Sequence, residues 1–114
     1  MSGGTLTWQV DERDGARIVA PGGRVDESTA TAFTERLIAE AGSASGKLVL
    51  DLSGIAYMSS RGLRALTLAQ REGARTGSTI VLARPNETMR EILAISRYDM
   101  IFTIAETIED ALAG

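Results

Sequence analysis

Residues 48–66, LVLDLSGIAYMSSRGLRAL, contain the features that decide the fold. The apolar run over residues 47–52 is short and nearly continuous, which is typical of a strand buried on both faces of a parallel sheet. Residues 54–58 form a predicted loop, after which Ser59 and Ser60 open a helix. In a parallel α/β sheet, ligands and partners gather at the carboxyl ends of the strands, so we expect the functional site at this loop.

The alternation of strands and helices continues on both sides of this stretch. Near the N-terminus apolar and polar residues alternate, and Asp14 and Gly15 form a hairpin signal because both accept positive φ. In chain order the predicted elements are a strand at 5–10, a strand at 17–20 that Pro21, Gly22 and Gly23 end, a helix at 28–41, a strand at 47–52, a helix at 60–75, a strand at 78–83, a helix at 85–96, a strand at 101–105 and a helix at 107–113.

This order predicts an α/β fold. Strands that alternate with helices are joined by right-handed crossovers in a largely parallel sheet. We therefore expect a single domain over residues 5–114, with a mixed, mostly parallel sheet, an N-terminal β-hairpin and about four helices. Residues 1–4 are predicted to be a short flexible N-terminus.

The composition excludes several classes of function. The 114 residues include no Cys and no His, so a Cys/His zinc site, a disulfide, a thiol nucleophile and a His-dependent catalytic triad are all excluded. The net charge of −3 is not offset by any long basic cluster, which argues against binding of DNA or RNA. We therefore expect no enzyme activity, no catalytic residues, no metal and no cofactor.

The N-terminal sequence and the lengths of the apolar runs predict where the protein is located. The N-terminus has neither a basic start nor an apolar stretch of the kind found in signal peptides. The longest apolar runs are only a few residues, too short to span a bilayer. These features predict a cytoplasmic protein without membrane insertion.

The start of the helix at Ser60 is a chemically suitable place for a phosphate. A helix N-terminus presents free backbone N–H groups to an anion, and phosphoserine carries a charge of about −1.5 to −2 at neutral pH. Arg61 and Arg64 are close enough in sequence to offset part of that charge. The alternative is that Ser59 or Ser60 simply caps the helix, and position alone favours the cap.

A resemblance to a known family favours phosphorylation over a plain helix cap. Residues 51–55, DLSGI, and residues 58–64, MSSRGLR, resemble the signature of the STAS family, which includes the domains of anti-sigma factor antagonists and of sulfate-transporter tails. The likeness continues at residues 23–26, GRVD, and in the final strand with its short acidic helix. It extends from about Leu6 to Leu112.

The resemblance implies a phosphorylation switch. Antagonists of this family bind an anti-sigma factor that is also a serine kinase, and this binding frees the sigma factor. Phosphorylation of the serine at the helix start, here Ser60, prevents the binding, and a metal-dependent serine phosphatase reverses the modification. Two positions depart from the usual motif: Ser59 stands where many antagonists have Asp, and Arg61 stands where many have a small residue.

The resemblance also implies a set of partner-binding residues around the phosphorylation site Ser60. Two of them have an alternative role, since Asp26 fits equally well as a helix cap and Met58 as a core residue. The predicted partner-binding residues are Asp26, Met58, Ser59, Ser60, Arg61, Gly62, Leu63 and Arg64.

Two other functions remain as alternatives. One is a STAS scaffold that does not switch, serving as a regulatory subunit of a signalling assembly or of a transporter. The other is a small enzyme on a similar sheet, which fits the sequence least well because paired catalytic carboxylates are also missing.

Overall fold

The computed structural model describes residues 5–113; the predicted N-terminal segment 1–4 lies outside the described residues. An initial hairpin is followed by alternating helices and strands, except that the third and fourth strands follow each other with no helix between them. The elements are β1 (Thr7–Arg13), β2 (Ala16–Val25), α1 (Ala30–Ser43), β3 (Gly46–Asp51), β4 (Gly54–Met58), α2 (Ser60–Thr76), β5 (Ser78–Ala83), α3 (Glu87–Ile95), a 3₁₀ turn (Tyr98–Met100), β6 (Thr103–Ala105) and α4 (Ile108–Ala113).

The strands of the described chain form one mixed sheet. The order is β1-β2-β3-β5-β6, and β4 pairs with the far end of β2. Only the β1–β2 pair is antiparallel; all the others are parallel. Asp14 and Gly15 form the hairpin turn with φ of 55° and 78°, so the turn prediction is confirmed. The α/β class with its mostly parallel sheet is also confirmed.

The two faces of the sheet are covered unequally. Successive side chains of a strand point to opposite faces, so Leu48 and Leu50 enter a large core with α1, α2 and α3, while Val49 enters a smaller one with α4. The large core is mainly aliphatic, with Phe33 of α1 as its fully buried aromatic ring. This burial of β3 on both faces explains its continuous apolar sequence.

Two local predictions are wrong. Pro21, Gly22 and Gly23 do not end the second strand, because β2 continues to Val25. Its pairing with β3 stops at Val19 and its pairing with β4 starts at Gly22, so Pro21 lies between the two parallel partners, where a missing N–H disturbs neither ladder. The predicted loop at residues 54–58 is strand β4, which pairs with the part of β2 that the sequence analysis missed.

Other boundaries agree with the predictions to within a few residues. The strand at 78–83 is confirmed, and α2 ends at Thr76, with Gly77 in the left-handed conformation at φ 87°. The last strand is shorter than expected and begins only at Thr103, because the N–H groups of Ile101 and Phe102 bond to the Tyr98 carbonyl and continue the 3₁₀ turn at residues 98–100. Within residues 5–113, no helix has the length and apolar character needed to cross a membrane.

A buried carboxylate ties the hairpin to α1. The Glu40 side chain is 8% exposed and accepts hydrogen bonds from Arg17 Nε at 2.7 Å and from Arg36 Nε at 2.8 Å. Arg17 also binds Glu12 of β1 at 2.9 Å, and the Arg36 guanidinium lies 4.8 Å from the centre of the Trp8 ring. Burial alone would raise the pKa of Glu40, but the two arginines outweigh it and hold the pKa below its ordinary value of 4.5.

Glu40→Gln should reduce the free energy of unfolding at pH 7 by about 2 kcal/mol, because two charged hydrogen bonds lose their anion. A carboxylate whose pKa is lowered by folding stabilises the protein above its unfolded pKa, and this contribution is lost as the pH falls through the folded pKa. The difference between Glu40→Gln and wild type should therefore shrink below about pH 4.5. Urea unfolding of both proteins at pH 7 and pH 4 measures this difference in the free energy of unfolding.

Glu35→Gln is the control, since Glu35 is exposed on the same helix. It should change stability little at either pH. Equal effects of the two substitutions would contradict the role of Glu40.

Candidate functional site

The candidate site lies where three elements meet at one edge of the sheet. These are the end of β2, the end of β4 and the first turn of α2. The register pairs Val25 with Met58, and the Ser59 N–H donates a hydrogen bond to the Val25 carbonyl at 2.8 Å. The start of α2 is therefore attached directly to the last pair of the β2–β4 ladder, which fixes where its first residues point.

The two adjacent serines have different structural roles. Ser59 is the N-cap of α2, and its Oγ accepts a hydrogen bond from the Gly62 N–H at 3.4 Å. Ser60 is the first helical residue and is exposed, and its hydroxyl makes no hydrogen bond within the described residues. The capping function that the sequence analysis assigned to either serine belongs to Ser59, so Ser60 is left free for other chemistry.

Gly62 allows the first turn of α2 to approach the sheet closely. A Cβ atom at this position would lie 2.7 Å from Val25 Cγ1 and closer still to Met58 Cγ. Real Cβ atoms essentially never approach neighbours this closely, so any larger residue must push the turn outward. Glycine at this position of the motif is thus explained by packing.

The predicted partner-binding residues divide by burial. Ser60, Arg61 and Arg64 are exposed, and Asp26 and Ser59 are partly exposed. Met58, Gly62 and Leu63 are buried beneath them, so a partner would not reach these three residues without rearrangement. For Met58 the structure favours the core alternative, since the residue is 2% exposed.

Asp26 organises the turn before α1. Its Oδ1 accepts hydrogen bonds from the Ser28 hydroxyl at 2.8 Å and the Ser28 N–H at 3.0 Å, and its carbonyl accepts the N–H groups of Thr29 and Ala30. The bonds from Ser28 hold the pKa of Asp26 below its ordinary value of 3.8. Asp26 therefore stabilises the turn that leads into α1, but it is not the helix cap, because the N-cap residue is Thr29. Its partly exposed carboxylate is accessible at the same edge.

Arg61 contacts α1 and the loop before it. Its Nη1 lies 3.3 Å from Glu27 Oε1, and its Nη2 donates to Thr31 Oγ1 at 3.0 Å. These contacts connect the first turn of α2 to the loop and helix that follow β2. Nothing in the local sequence indicates them, because the partners lie 34 and 30 residues away.

The sequence analysis missed the residues that hold β4 in place. The Asn86 side chain donates to the Ile55 carbonyl at 2.8 Å and also accepts the Met89 N–H, so it both caps α3 and anchors β4. Arg24 of β2 stacks on Tyr57 of β4, with 4.7 Å between the guanidinium carbon and the ring centre. Ile55 and Tyr57 are residue types that favour strands, and this is the weak signal by which β4 could have been recognised.

An ion pair fixes the loop between β3 and β4. Arg84 Nη2 lies 2.9 Å from Asp51 Oδ2 and 2.9 Å from Ser53 Oγ. Burial alone would raise the pKa of Asp51, but hydrogen bonds from Arg84 and from the Ser53 N–H outweigh it, and the pKa lies below 3.8. Arg84 has φ of 56° immediately before Pro85, a strained position that these contacts help to maintain.

The geometry of the candidate site is therefore suited to binding. It presents one free hydroxyl, Ser60, on a rigid turn with arginines and a carboxylate close by in the fold. Among residues 5–113, no three acidic side chains gather into a group that could hold a metal ion. The arrangement suits modification of the hydroxyl and recognition by a partner surface.

Comparison with known proteins identifies relatives of this chain. The sequence profile of the STAS domain matches residues 7–111. The candidate anti-sigma factor antagonist BtrV of Bordetella bronchiseptica is 31% identical over 105 residues, which are 92% of this chain and 90% of BtrV. The anti-sigma-F factor antagonist RsfB of Mycobacterium tuberculosis is 29% identical over 110 residues, which are 96% of this chain and 89% of RsfB.

A solved structure agrees with these matches. An anti-sigma factor antagonist from Mycobacterium paratuberculosis superposes with a TM-score of 0.81 at 28% identity. The alignment covers 99% of this chain and 97% of that chain. The similarity thus extends over the whole fold.

Ser59→Ala should lower the free energy of unfolding by about 1 kcal/mol, because the helix loses its capping oxygen. Ser60→Ala should change it by less than about 0.5 kcal/mol, since the hydroxyl has no intramolecular partner. Urea unfolding of both variants checks the assignment. A larger loss for Ser60→Ala would show that the two roles are exchanged.

Gly62→Ala should destabilise the protein by about 1–3 kcal/mol, because the added methyl group overlaps Val25 and Met58. This is expected even though alanine is favoured over glycine in a helix by about 1 kcal/mol. Gly42→Ala in α1 is the control, because its Cβ would meet only the flexible end of Glu72. A neutral Gly62→Ala, measured by the same unfolding method, would refute the packing explanation.

Proposed function

The chain belongs to the STAS domain family, and we propose that it is an anti-sigma factor antagonist switched by phosphorylation of Ser60. In the unmodified form it binds an anti-sigma factor that is also a serine kinase, and so releases a sigma factor. Phosphorylation of Ser60 by that kinase ends the binding. A metal-dependent serine phosphatase restores the active form.

The observation that carries the proposal is the state of the Ser60 hydroxyl. It is exposed at the first residue of α2 and is not needed as the helix cap, which Ser59 supplies. A kinase can therefore reach it without unfolding the turn. The names of the relatives BtrV and RsfB support the general role of antagonist.

The physical effect of the phosphate explains the release. An interface centred on this turn must remove water from Ser60. A hydroxyl is easily accommodated there if it finds one hydrogen bond, whereas a phosphate brings about two negative charges and a firmly held water shell. Removal of water from a charged group costs several kcal/mol even where the charge has a partner, and each 1.4 kcal/mol weakens binding tenfold.

In this proposal the protein acts by binding and not by turnover. Its sequence contains neither His nor Cys, and the site offers no nucleophile–base pair. The surface that changes includes Asp26, Ser59, Ser60, Arg61 and Arg64. We place this activity in the cytoplasm, where a sigma factor meets its polymerase.

Ser60→Ala should retain binding to the anti-sigma kinase within about threefold, because the interface loses at most one hydrogen bond. Phosphorylation of Ser60 should weaken binding by several hundred-fold, corresponding to roughly 3–4 kcal/mol, and Ser60→Asp should reproduce part of this loss. The measurement is calorimetric titration of each form against purified anti-sigma kinases encoded in the same genome.

Ser45→Asp provides the matched control. Ser45 is exposed and immediately precedes β3, so it lies at the opposite end of the parallel strands from Ser60. Its substitution should leave the affinity unchanged. Equal affinities of the wild type, the Ser60 variants and the phosphorylated protein would exclude the switch and favour a STAS scaffold that does not switch.

A further inference from the structure

Arg24, Arg61 and Arg64 belong to β2 and α2, the elements that meet near Ser60, and two of these three arginines are already engaged. Arg24 stacks on Tyr57, and its Nε lies 3.9 Å from an Asp26 oxygen. Arg61 contacts Glu27 Oε1 at 3.3 Å and donates to Thr31 at 3.0 Å. Each of these guanidinium groups is therefore held in place by partners of its own.

Arg64 is the third arginine and is differently placed. It is exposed and makes no hydrogen bond, ion pair or ring contact within residues 5–113. It follows Ser60 by four residues in α2, so the two side chains lie on the same face of the helix with about 5–6 Å between their Cβ atoms. Side chains in a helix lean toward its N-terminus, which brings the Arg64 guanidinium toward Ser60.

We propose that Arg64 is the residue that binds the phosphate on Ser60, while Arg61 stays on Glu27 and Thr31. This inference rests on the proposed function only for the presence of the phosphate. Arg64 can move toward the phosphate without losing an existing contact, whereas Arg61 is held by two partners. The Glu27 carboxylate, 3.3 Å from Arg61 Nη1, also disfavours a second anion beside that arginine.

Pairing of Arg64 with the phosphate also changes a cleft beside the turn. Arg64 also forms part of the wall of a cleft of about 330 Å³ between α1 and α2. The cleft is lined by Thr31, Thr34, Glu35, Arg61, Arg64 and Leu68. Once the phosphate holds Arg64, this surface loses its one unpaired guanidinium among the described lining residues. Modification of Ser60 therefore changes the charge of a surface larger than the serine itself.

The test uses the whole chain with phosphoserine installed at position 60 by genetic encoding, so neither kinase nor partner is needed. The second ionisation of phosphoserine, near pH 6, is followed by ³¹P NMR. A nearby cation favours the dianion, so Arg64→Gln should raise the phosphoserine pKa by about 0.5 unit, a roughly threefold increase in proton affinity. Arg61→Gln should raise it by less than about 0.2 unit.

Arg71→Gln is the matched control, an exposed arginine of α2 seven residues beyond Arg64 on nearly the same face. It should leave the phosphoserine pKa unchanged, and 0.5 M salt should reduce the Arg64 effect by screening. No change with Arg64→Gln, or an Arg61→Gln effect as large, would overturn the proposal. Failure of the proposed function would appear instead as equal partner affinities of the modified and unmodified chains.

Discussion

The close packing of the first turn of α2 against β2 and β4 is the constraint on which the site depends. Gly62 has no side chain, so the turn can rest on Val25 and Met58. The Ser59 N–H then reaches the Val25 carbonyl, and the Ser59 hydroxyl caps the helix. With both groups of Ser59 committed to the fold, Ser60 is the first residue of the helix that faces outward. Exposure of one hydroxyl is therefore a consequence of buried packing.

Further contacts hold β4 and the loop before it in place beneath the turn. Asn86 holds the Ile55 carbonyl of β4, and Arg84 links Asp51 to Ser53 in the loop before β4. These contacts join the ends of β3, β4 and β5 and the start of α3. Because the turn is attached at several independent points, we expect a charge added at its surface to disturb the core little. The proposed regulation, in which phosphorylation changes the surface and leaves the fold intact, is consistent with this architecture.

Local patterns in the sequence predict those elements whose structure is decided locally. Continuous apolar runs identify β3 and β5 because both strands are buried on two faces, and Asp14–Gly15 identifies the hairpin because positive φ is required there. The extension of β2 through Pro21 could not be predicted, because it depends on a change of partner from β3 to β4 that no local pattern encodes. The strand β4 was missed for the same reason.

The candidate site, like the fold, could be predicted from the sequence only in part. The motif with its two serines placed the site at the helix start, but the roles of Ser59 and Ser60 differ only through a hydrogen bond seen in three dimensions. The sequence alone gives Arg61 and Arg64 the same expected effect on the charge of a phosphate, whereas in the structure only Arg61 contacts the distant Glu27 and Thr31. Burial of Met58 likewise depends on its pairing opposite Val25.

The central claim is that a rigid turn displays Ser60, so that phosphorylation changes the surface and leaves the fold unchanged. Amide hydrogen exchange of the unmodified chain and of the chain carrying phosphoserine at position 60 tests it most directly. We expect equal protection in β3, β5 and the body of α2, with differences confined to the first turn of α2 and the Asp26–Thr31 segment. Loss of protection in β3 and β5 on phosphorylation would contradict the account.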